Sequence, residues 1–578
     1  MKHILFLFSI VSVFIMVNSC TNSFNENKFE YAGGTFSLAL TNEPATLIAR
    51  NVTDVYSATL FNQIYQGLTT LDPKTLEVKP CLAKSWEVSP DQKSFTFELR
   101  KGVFFHKNKN FKEAIKMTPQ DVLFSIELAC SPYQGETTAA YNSLYHDVIK
   151  GASEFYKGEA NHISGVRIMG NKITIELIDK DVNFIAKLAQ PTAAILSKKV
   201  VKKGLETELI GTGPFKFDKY IEVDGQTNII LKRNKNYYET DDQGNQLPYL
   251  DSLIFKIESR KLRQLKMFEN NEIQLIDGLP PSRISSMLGS GKIEDFNSTP
   301  PTLVLRRKPL LGTQYYLFNL LKKEFKDVRV RKAFNYAIDR EVIISEILNH
   351  QAYSKGDGGI VPPSAFNGYD SESVKKHSYT FQPKKARKLL AAAGYPNGEG
   401  FPSINLKFNL GTIHSAVADE ISKQLKQVLN INMNLDGIPF QNKLEDQKNA
   451  AGDIFRTAWY ADYFSPENFL INAYGKYVPE DSTKPSGINQ ARYRNKKFDE
   501  LFEKGKSTTD IVDRYKYFSE AESIMMDDAP FIILWYEETI KIAYSKVRNL
   551  PLNKMNYYSF KNVYIKNWTK KEWNDQKK

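Results

Sequence analysis

Two hydrophobic periodicities alternate irregularly along this chain of 578 residues, and their order limits the folds available to it. Every second residue is apolar in short segments such as 35–40, 95–99 and 173–177, which is the pattern of a strand with one buried face. Segments 328–338 and 511–526 instead carry apolar residues at helical spacing. Because strands and helices mingle without a regular repeat, the sequence predicts an α/β fold with mixed sheets. The length corresponds to about three or four domains, or to one large interleaved fold.

Residues that begin and end helices delimit some of these segments. Asp327 can accept a hydrogen bond from the first turn of a helix that starts at Val328. Pro383 and Gly394 bracket another helix, since proline fits a first turn and glycine commonly follows a last residue. These signals predict one helix after Asp327 and another between Pro383 and Gly394.

The N-terminus carries the pattern of a secretory signal peptide. A short basic start precedes an apolar run over residues 4–17, which is too short to span a bilayer comfortably as a helix. The run ends in Val-Asn-Ser-Cys, which resembles a bacterial lipobox, where cleavage before the cysteine leaves it as the lipid-bearing N-terminus. We therefore predict a signal peptide over residues 1–19 and lipidation at Cys20, with several acyl chains giving stable membrane attachment. The alternative is ordinary cleavage near Cys20 that leaves a free thiol.

Composition and charge argue against several classes of function. The chain has 78 Lys and Arg against 66 Asp and Glu, a formal charge of +12, but no basic stripe with interleaved aromatic residues stands out. We therefore predict no nucleic-acid partner. Only two cysteines remain beside Cys20, too few for a disulfide framework, so Cys81 and Cys130 are expected to be buried free thiols.

Motifs of enzyme chemistry are mostly missing from the sequence. Gly505-Lys506-Ser507 resembles the end of a phosphate-binding loop, but Glu500 stands where the first glycine of that loop would be. No nucleophile elbow and no complete dinucleotide fingerprint occurs, and the seven histidines form no close pair of the kind that binds zinc. We therefore predict a protein that is not an enzyme and has no cofactor and no metal ion.

Several blocks of sequence occur in an order shared with a known family. Two of them contain the signatures Gly211-Thr212-Gly213-Pro214-Phe215 and Trp459-Tyr460-Ala461-Asp462. The blocks lie within residues 78–122, 211–238, 325–340, 386–395 and 459–469. Taken together, they resemble the family 5 extracellular solute-binding proteins, which are the oligopeptide- and dipeptide-binding lipoproteins of bacterial ABC importers. The resemblance extends over about residues 33–545, and one departure is Lys-Asn-Lys-Asn at 107–110 in place of an Asp-Gly turn.

The resemblance implies a two-lobed, periplasmic-binding-protein-like α/β fold of type II, in the large cluster that carries an extra inserted domain. Closure of the lobes around a ligand at a hinge would let an importer distinguish the loaded receptor from the empty one. Carried onto this sequence, the implied parts are the signal peptide 1–19, a lipid-anchored tether 20–32, lobe I 33–57, 204–312 and 541–578, an inserted domain 58–203 packed on lobe I, and lobe II 313–540.

The same resemblance implies that Asp462 receives the α-ammonium of a peptide ligand. A carboxylate in a dry cleft bonds strongly to an ammonium, and without a cation its burial is unfavourable. Alternatively, Asp462 only caps the turn that follows it. Trp459 would shape a side-chain pocket, or else be a buried core aromatic.

Arg456 matches a basic residue that some oligopeptide receptors turn toward the ligand carboxylate. Strand alternation puts Arg456, Ala458 and Tyr460 on one face, and main-chain groups near Ala458 and Tyr460 are expected to pair with an extended ligand. In an extended chain Arg456 and Asp462 would be about 20 Å apart, against about 10 Å for a tripeptide. The chain therefore bends after Tyr460, or Arg456 serves longer ligands, or Arg456 is structural.

From this resemblance we predict a monomeric receptor that captures peptides between its lobes and delivers them to ABC permease subunits in the inner membrane. Its expected place is the bacterial cell envelope, outside the cytoplasm and anchored to the lipid bilayer through Cys20. The alternatives are a receptor of the same fold for a nickel chelate, haem or an oligosaccharide, an envelope hydrolase, and a surface lipoprotein that keeps the fold without transport.

Overall fold

The computed structural model describes residues 29–223, 225–283, 287, 293–363 and 365–576. The predicted signal peptide, Cys20 and the tether up to residue 28 lie outside these residues. Within them, no helix combines the length and the apolar character needed to cross a membrane.

The strands are numbered in chain order. They are β1 Thr35–Leu40, β2 Thr69–Leu71, β3 Val78–Pro80, β4 Ala83–Val88, β5 Ser94–Leu99, β6 Val166–Met169, β7 Lys172–Glu176, β8 Phe215–Val223, β9 Gln226–Arg233, β10 Ser252–Ile257, β11 Leu275–Asp277, β12 Leu303–Phe318, β13 Ser354–Lys355, β14 Ile404–Asn409, β15 Met433–Ile438, β16 Ile454–Tyr460, β17 Phe531–Tyr544, β18 Val547–Arg548 and β19 Tyr564–Ile565.

The α-helices range from single turns to five turns, and two π-helical turns accompany them. The α-helices are Val55–Ile64, Pro119–Ala129, Ala152–Tyr156, Phe184–Lys187, Lys198–Lys202, Lys261–Glu269, Ile293–Asn297, Lys323–Lys326, Val328–Ala337, Arg340–Val342, Ser371–Lys375, Pro383–Ala392, Thr412–Leu429, Phe440–Lys448, Glu467–Leu470, Lys496–Ser507, Ile511–Asp528 and Lys570–Gln576. The π-helical turns are Tyr141–Tyr145 and Ile343–Ile347.

The largest sheet has eleven strands, in the order β15-β14-β16-β12-β17-β11-β1-β10-β9-β8 with β13 paired to β17. Parallel pairs such as β14 with β15 occur beside antiparallel pairs such as β12 with β17. The predicted α/β fold with mixed sheets is therefore confirmed.

Strands β12 and β17 are the longest and run through the middle of this sheet. Their antiparallel ladder joins Leu303–Pro309 to Tyr544–Glu538, shifts register, and resumes between Thr313–Leu317 and Tyr536–Phe531. Gly312 lies in the shifted segment, where an added Cβ atom would approach the ring of Tyr460 to 2.7 Å.

Most buried apolar side chains gather in three cores. The large core draws mainly on residues 311–555, the N-terminal core on residues 36–65, 194–275 and 543–563, and the small-sheet core on residues 68–210. The small-sheet core packs on a separate sheet with the order β4-β5-β7-β6. The predicted lobe boundaries at 312/313 and 540/541 fall inside β12 and β17 and stay a prediction.

Local signals explain several elements. Strands β5 and β7 alternate buried and half-buried residues as their sequences indicate, whereas β1 lies between β10 and β11 and also buries Ser37 on its second face. Asp327 accepts a hydrogen bond from Arg329 N and begins the predicted helix. Gly505-Lys506-Ser507 lies inside a helix, which is incompatible with a phosphate-binding loop.

The Gly211-Thr212-Gly213 signature also has a structural reason. The end of helix Val55–Ile64 packs so closely on it that a Cβ atom at Gly211 would come within 2.0 Å of the Ile64 carbonyl oxygen. His106 is buried beside this contact, and its Nε2 lies 2.9 Å from the carbonyl oxygen of Gly213. Cys81 and Cys130 are buried free thiols, as predicted.

Candidate functional site

A large cavity, called the cleft below, has a volume of about 2820 Å³. Its wall includes β16 and helix Phe440–Lys448 from the segment of the large core. It also includes helix Val55–Ile64 from the segment of the N-terminal core and residues 133–137 from the segment of the small-sheet core. All five residues singled out for ligand binding line the cleft: Arg456, Ala458, Trp459, Tyr460 and Asp462. The sequence therefore identified the wall of the cleft, whereas their individual roles stay predictions.

Strand β16 positions these residues. It pairs antiparallel with β12, which sets Arg456 opposite Tyr316 and Tyr460 opposite Gly312. On its other edge it pairs with β14 only at Ile454 and Phe455. From residue 456 onward, that edge has no strand partner in the part of the chain that the structure describes.

The chain leaves β16 after Tyr460 and bends over residues 462–465. The bend agrees with one of the three possibilities raised for the distance between Arg456 and Asp462. Hydrogen bonds of Ser465 close the turn: its amide donates to the Tyr463 carbonyl oxygen at 2.9 Å, and its hydroxyl accepts from the Glu467 amide at 3.3 Å. Ser465 therefore closes this turn with its own groups, and the role of Asp462 stays a prediction.

Asn468 links Trp459 to Asp462. Its Oδ1 accepts hydrogen bonds from Trp459 Nε1 at 3.0 Å and from the Asp462 amide at 2.9 Å. Asn468 is buried, so this contact fixes the half-buried indole and the main chain of Asp462 together. The sequence analysis missed this role, although Asn468 lies within the block of residues 459–469.

The carboxyl group of Asp462 is open to the cleft. Surrounding protein displaces bulk water from it and raises its pKa to about 6, while a hydrogen bond with Asn468 acts in the opposite direction. Among the described residues Asp462 forms no ion pair. The site therefore holds an acidic group whose charged form would be stabilised by an incoming cation.

Arg456 is buried farther along the wall. Its Nη1 donates to Asn409 Oδ1 at 3.1 Å and its Nη2 donates to Gln314 Oε1 at 2.5 Å, whereas its Nε has no acceptor in the described structure. Burial lowers the pKa of the guanidinium. Its hydrogen-bond partners are neutral amides, so its positive charge is not cancelled by direct contact with a carboxylate.

Tyr460 and Ala458 line the cleft on the same strand as Arg456. Both are half-buried, and the Tyr460 hydroxyl lies 3.5 Å from Gln314 Nε2. Gln314 Nε2 also donates to Glu537 Oε1 at 2.6 Å. Burial first, and then the charge of Glu537, raise the pKa of Tyr460 well above its usual value. Gln314 is a second residue that sequence reasoning missed, because nothing local distinguishes it within β12.

Charged contacts link the segment that holds the small-sheet core to the segment that holds the large core. Lys187 is buried and donates to Asp181 at 2.8 Å and to Glu467 at 2.5 Å. Closer to solvent, Lys448 Nζ lies 2.7 Å from Glu136 Oε2. Of these residues, Glu136 and Lys448 also line the cleft.

The family model for bacterial extracellular solute-binding proteins, family 5 Middle, matches residues 77–480. The chain belongs to this family. The dipeptide-binding protein of Escherichia coli K12 is similar to this family member, with 27% identity over 517 residues, 87% of this chain and 89% of that protein. Heme-binding protein A of Haemophilus influenzae is 28% identical over 490 residues, 81% of each chain.

A solved structure has the same fold. The ABC transporter-associated periplasmic binding protein DppA from Helicobacter pylori, in complex with the peptide STSA, superposes with a TM-score of 0.79 at 25% identity. The match covers 93% of this chain and 98% of that one. The protein described here is therefore a two-lobed solute-binding protein. Its described residues contain no group of three or more His, Cys, Asp or Glu residues that could hold a metal ion.

Proposed function

We propose that this family member is the substrate-binding lipoprotein of an ABC importer, that it captures peptides between its lobes, and that it delivers them to permease subunits in the inner membrane. The observation that carries the proposal is Asp462, an acidic group in the cleft without a cationic partner among the described residues. A solute-binding protein with similar fold contains a bound peptide, which supports the same ligand class here. The activity is binding and delivery, without catalysis.

The wall of the cleft offers a complementary group to each part of a peptide backbone. Asp462 would bind the α-ammonium, and Arg456 would bind the α-carboxylate through donors that its amide partners leave free. Between them, the unpaired edge of β16 would form main-chain hydrogen bonds near Ala458 and Tyr460. Trp459, held by Asn468, would bound a side-chain pocket. Main-chain recognition of this kind allows many peptide sequences to bind.

Haem is a second candidate ligand, because Heme-binding protein A is as similar to this chain as the dipeptide-binding protein is. Membership of the family is therefore compatible with either ligand. The cleft is lined by an acid without an ion pair, Asp462, and by a buried base, Arg456, and this pair favours a zwitterionic peptide whose two ends carry the opposite charges.

A free tripeptide is expected to stabilise the purified protein. At about a hundredfold excess over its dissociation constant it should raise the free energy of unfolding by about 2.7 kcal/mol, because it binds the folded chain only. Small-angle scattering should show contraction at the same ligand concentration as the lobes close.

Two controls separate the outcomes of this experiment. A peptide blocked at both ends should stabilise the protein far less, because it offers neither charge to Asp462 and Arg456. Stabilisation by haem and by no peptide would overturn the peptide proposal. Tight peptide binding with an unchanged scattering envelope would instead contradict closure alone.

Replacing Cys20 with Ser is expected to abolish lipid attachment, because acylation needs the thiol of the lipobox. The variant should accumulate as unprocessed precursor or, after cleavage elsewhere, as protein released from the membrane. Metabolic labelling with a fatty-acid analogue checks this, with Cys81→Ser as a matched control that keeps its label. Label persisting in the Cys20→Ser protein would show that the anchor lies elsewhere.

A further inference from the structure

Lys443 is a buried base in the wall of the cleft. It belongs to helix Phe440–Lys448, only 1% of its surface is exposed, and it lines the cavity. In the described part of the chain it has no ion pair and no side-chain hydrogen bond. A buried ammonium without a partner is strongly unfavourable, so burial drives such an amine toward its neutral form until an anion pairs with it.

The other buried lysines show how this chain normally treats such a group. Lys187 donates hydrogen bonds to two carboxylates, Asp181 and Glu467. Lys541 donates to Asn556 and Tyr558. Both lysines are as buried as Lys443, and both are satisfied. Packing of the aliphatic stem therefore does not account for an ammonium that is left without an acceptor beside a large cavity.

The groups that face Lys443 are basic as well. Burial first, and then the charge of Arg456 on β16, lower the pKa of Lys443 well below its usual value. His414, on helix Thr412–Leu429, has its pKa lowered by burial and then by Arg456 and Lys443. The acid whose charge acts on Arg456, Glu537, is already hydrogen-bonded to Gln314 and Trp535.

Two bases thus line the same cleft and act on each other electrostatically, and the described protein supplies a direct carboxylate contact to neither. One α-carboxylate at Arg456 would leave Lys443 without an anion. A ligand with a second acidic group close to the first would neutralise both, because opposite charges at short range in a desolvated site attract strongly.

We propose that Lys443 binds a second acidic group of the ligand, next to the α-carboxylate, so that the cleft prefers peptides that end in Glu or Asp. The proposal rests on the peptide-binding function proposed above and names the class of peptide. Asp462 and Arg456 would recognise any free peptide, whereas Lys443 would select among them.

Calorimetric titration with Ala-Ala-Glu and Ala-Ala-Gln tests the proposal, since the two peptides differ only in a side-chain charge. The wild type should bind Ala-Ala-Glu at least about tenfold more tightly. Lys443→Met should lose about thirtyfold or more in affinity for Ala-Ala-Glu, because the acid then lacks its partner, and should stay within about fivefold for Ala-Ala-Gln. Lys443→Arg should keep the preference.

Lys484→Met is the matched control, because it removes the same charge from an exposed position lining the same cavity. It should leave the Glu-over-Gln ratio unchanged. Folding of Lys443→Met is checked by thermal unfolding, where loss of an unpaired buried charge should not lower the melting temperature.

Equal affinity of the wild type for the two peptides, or an unchanged ratio in Lys443→Met, would overturn the proposal. A lower melting temperature of Lys443→Met with unchanged selectivity would mean that Lys443 is structural. If neither peptide bound the wild type, the peptide function itself would fail and this proposal with it.

Discussion

Replacing Asp462 with Asn is expected to weaken peptide binding by about thirtyfold to several thousandfold. Asn keeps the shape of the side chain and removes its charge, so the ligand ammonium would be left in the cleft without an anion. Loss of one partner of a buried charge pair has a free-energy cost of about 2–5 kcal/mol. Isothermal titration calorimetry on both proteins measures the difference directly.

The same interaction can be removed from the ligand side. N-acetylation of the peptide should weaken binding to the wild type by a comparable factor, and the two changes should not add, because each removes the same contact. A coupling energy near zero, with the full acetylation penalty still present in Asp462→Asn, would assign Asp462 a structural role. In that case the sugar, haem and nickel-chelate ligands would have to be tested again.

The raised pKa of Asp462 predicts that peptide affinity depends on pH. In the free protein the carboxyl titrates near 6, and a bound ammonium would lower that value, so binding below pH 6 must release a proton. Affinity should therefore rise with pH up to about 6, by at most about tenfold per unit, and level off above it. Asp462→Asn should lose this dependence.

Replacing Lys187 with Met is expected to lower peptide affinity about a hundredfold or more, although Lys187 touches no ligand in the proposed pose. In the closed arrangement the change would leave Glu467 and Asp181 buried, with only the more distant Lys506, 3.9 Å from Asp181, as a cation. Breaking a buried ion pair in this way typically costs about 3–5 kcal/mol. Opening that separates Glu467 from residues 181–187 would expose Glu467 to water and avoid that cost, so the variant should favour opening.

Two further variants isolate this effect. Lys448→Met removes the more exposed ion pair with Glu136 across the same cleft and should change affinity by no more than about fivefold. Adding Glu467→Gln to Lys187→Met removes the uncompensated acid, so affinity should recover in part. Titration calorimetry and scattering on all four proteins give the comparison, and wild-type affinity in Lys187→Met would mean that the network does not bias closure.

Elements with local signals were predicted well from the sequence. Strands β5 and β7 follow their alternation, the helix after Asp327 begins at Val328, and the helix at Pro383 ends at Ala392, two residues before Gly394. These signals depend on hydrogen bonds and burial within a few residues. The order of strands in the large sheet could not be predicted, since β12 and β17 pair across more than two hundred residues.

The residues of the site likewise fall into those that the sequence identified and those that only the structure reveals. Asp462 and Arg456 were found because they belong to a sequence motif with a family resemblance. Lys443 is one of 78 basic residues, and only the fold reveals that it is buried without a partner. Asn468 likewise becomes informative only when its amide is seen between Trp459 and Asp462.

The two long central strands have a consequence for cooperativity. β12 contributes Leu303 to one hydrophobic cluster and Leu317 to the large core, and β17 contributes Ala543 to the N-terminal core and Ile532 to the large one. Neither lobe can therefore unfold without removing strands that also pack in its neighbour. Although the proposed closure would move the lobes as separate bodies, we infer that they unfold together in a single transition. A ligand that touches only the cleft would then protect main-chain amides from hydrogen exchange throughout the large sheet.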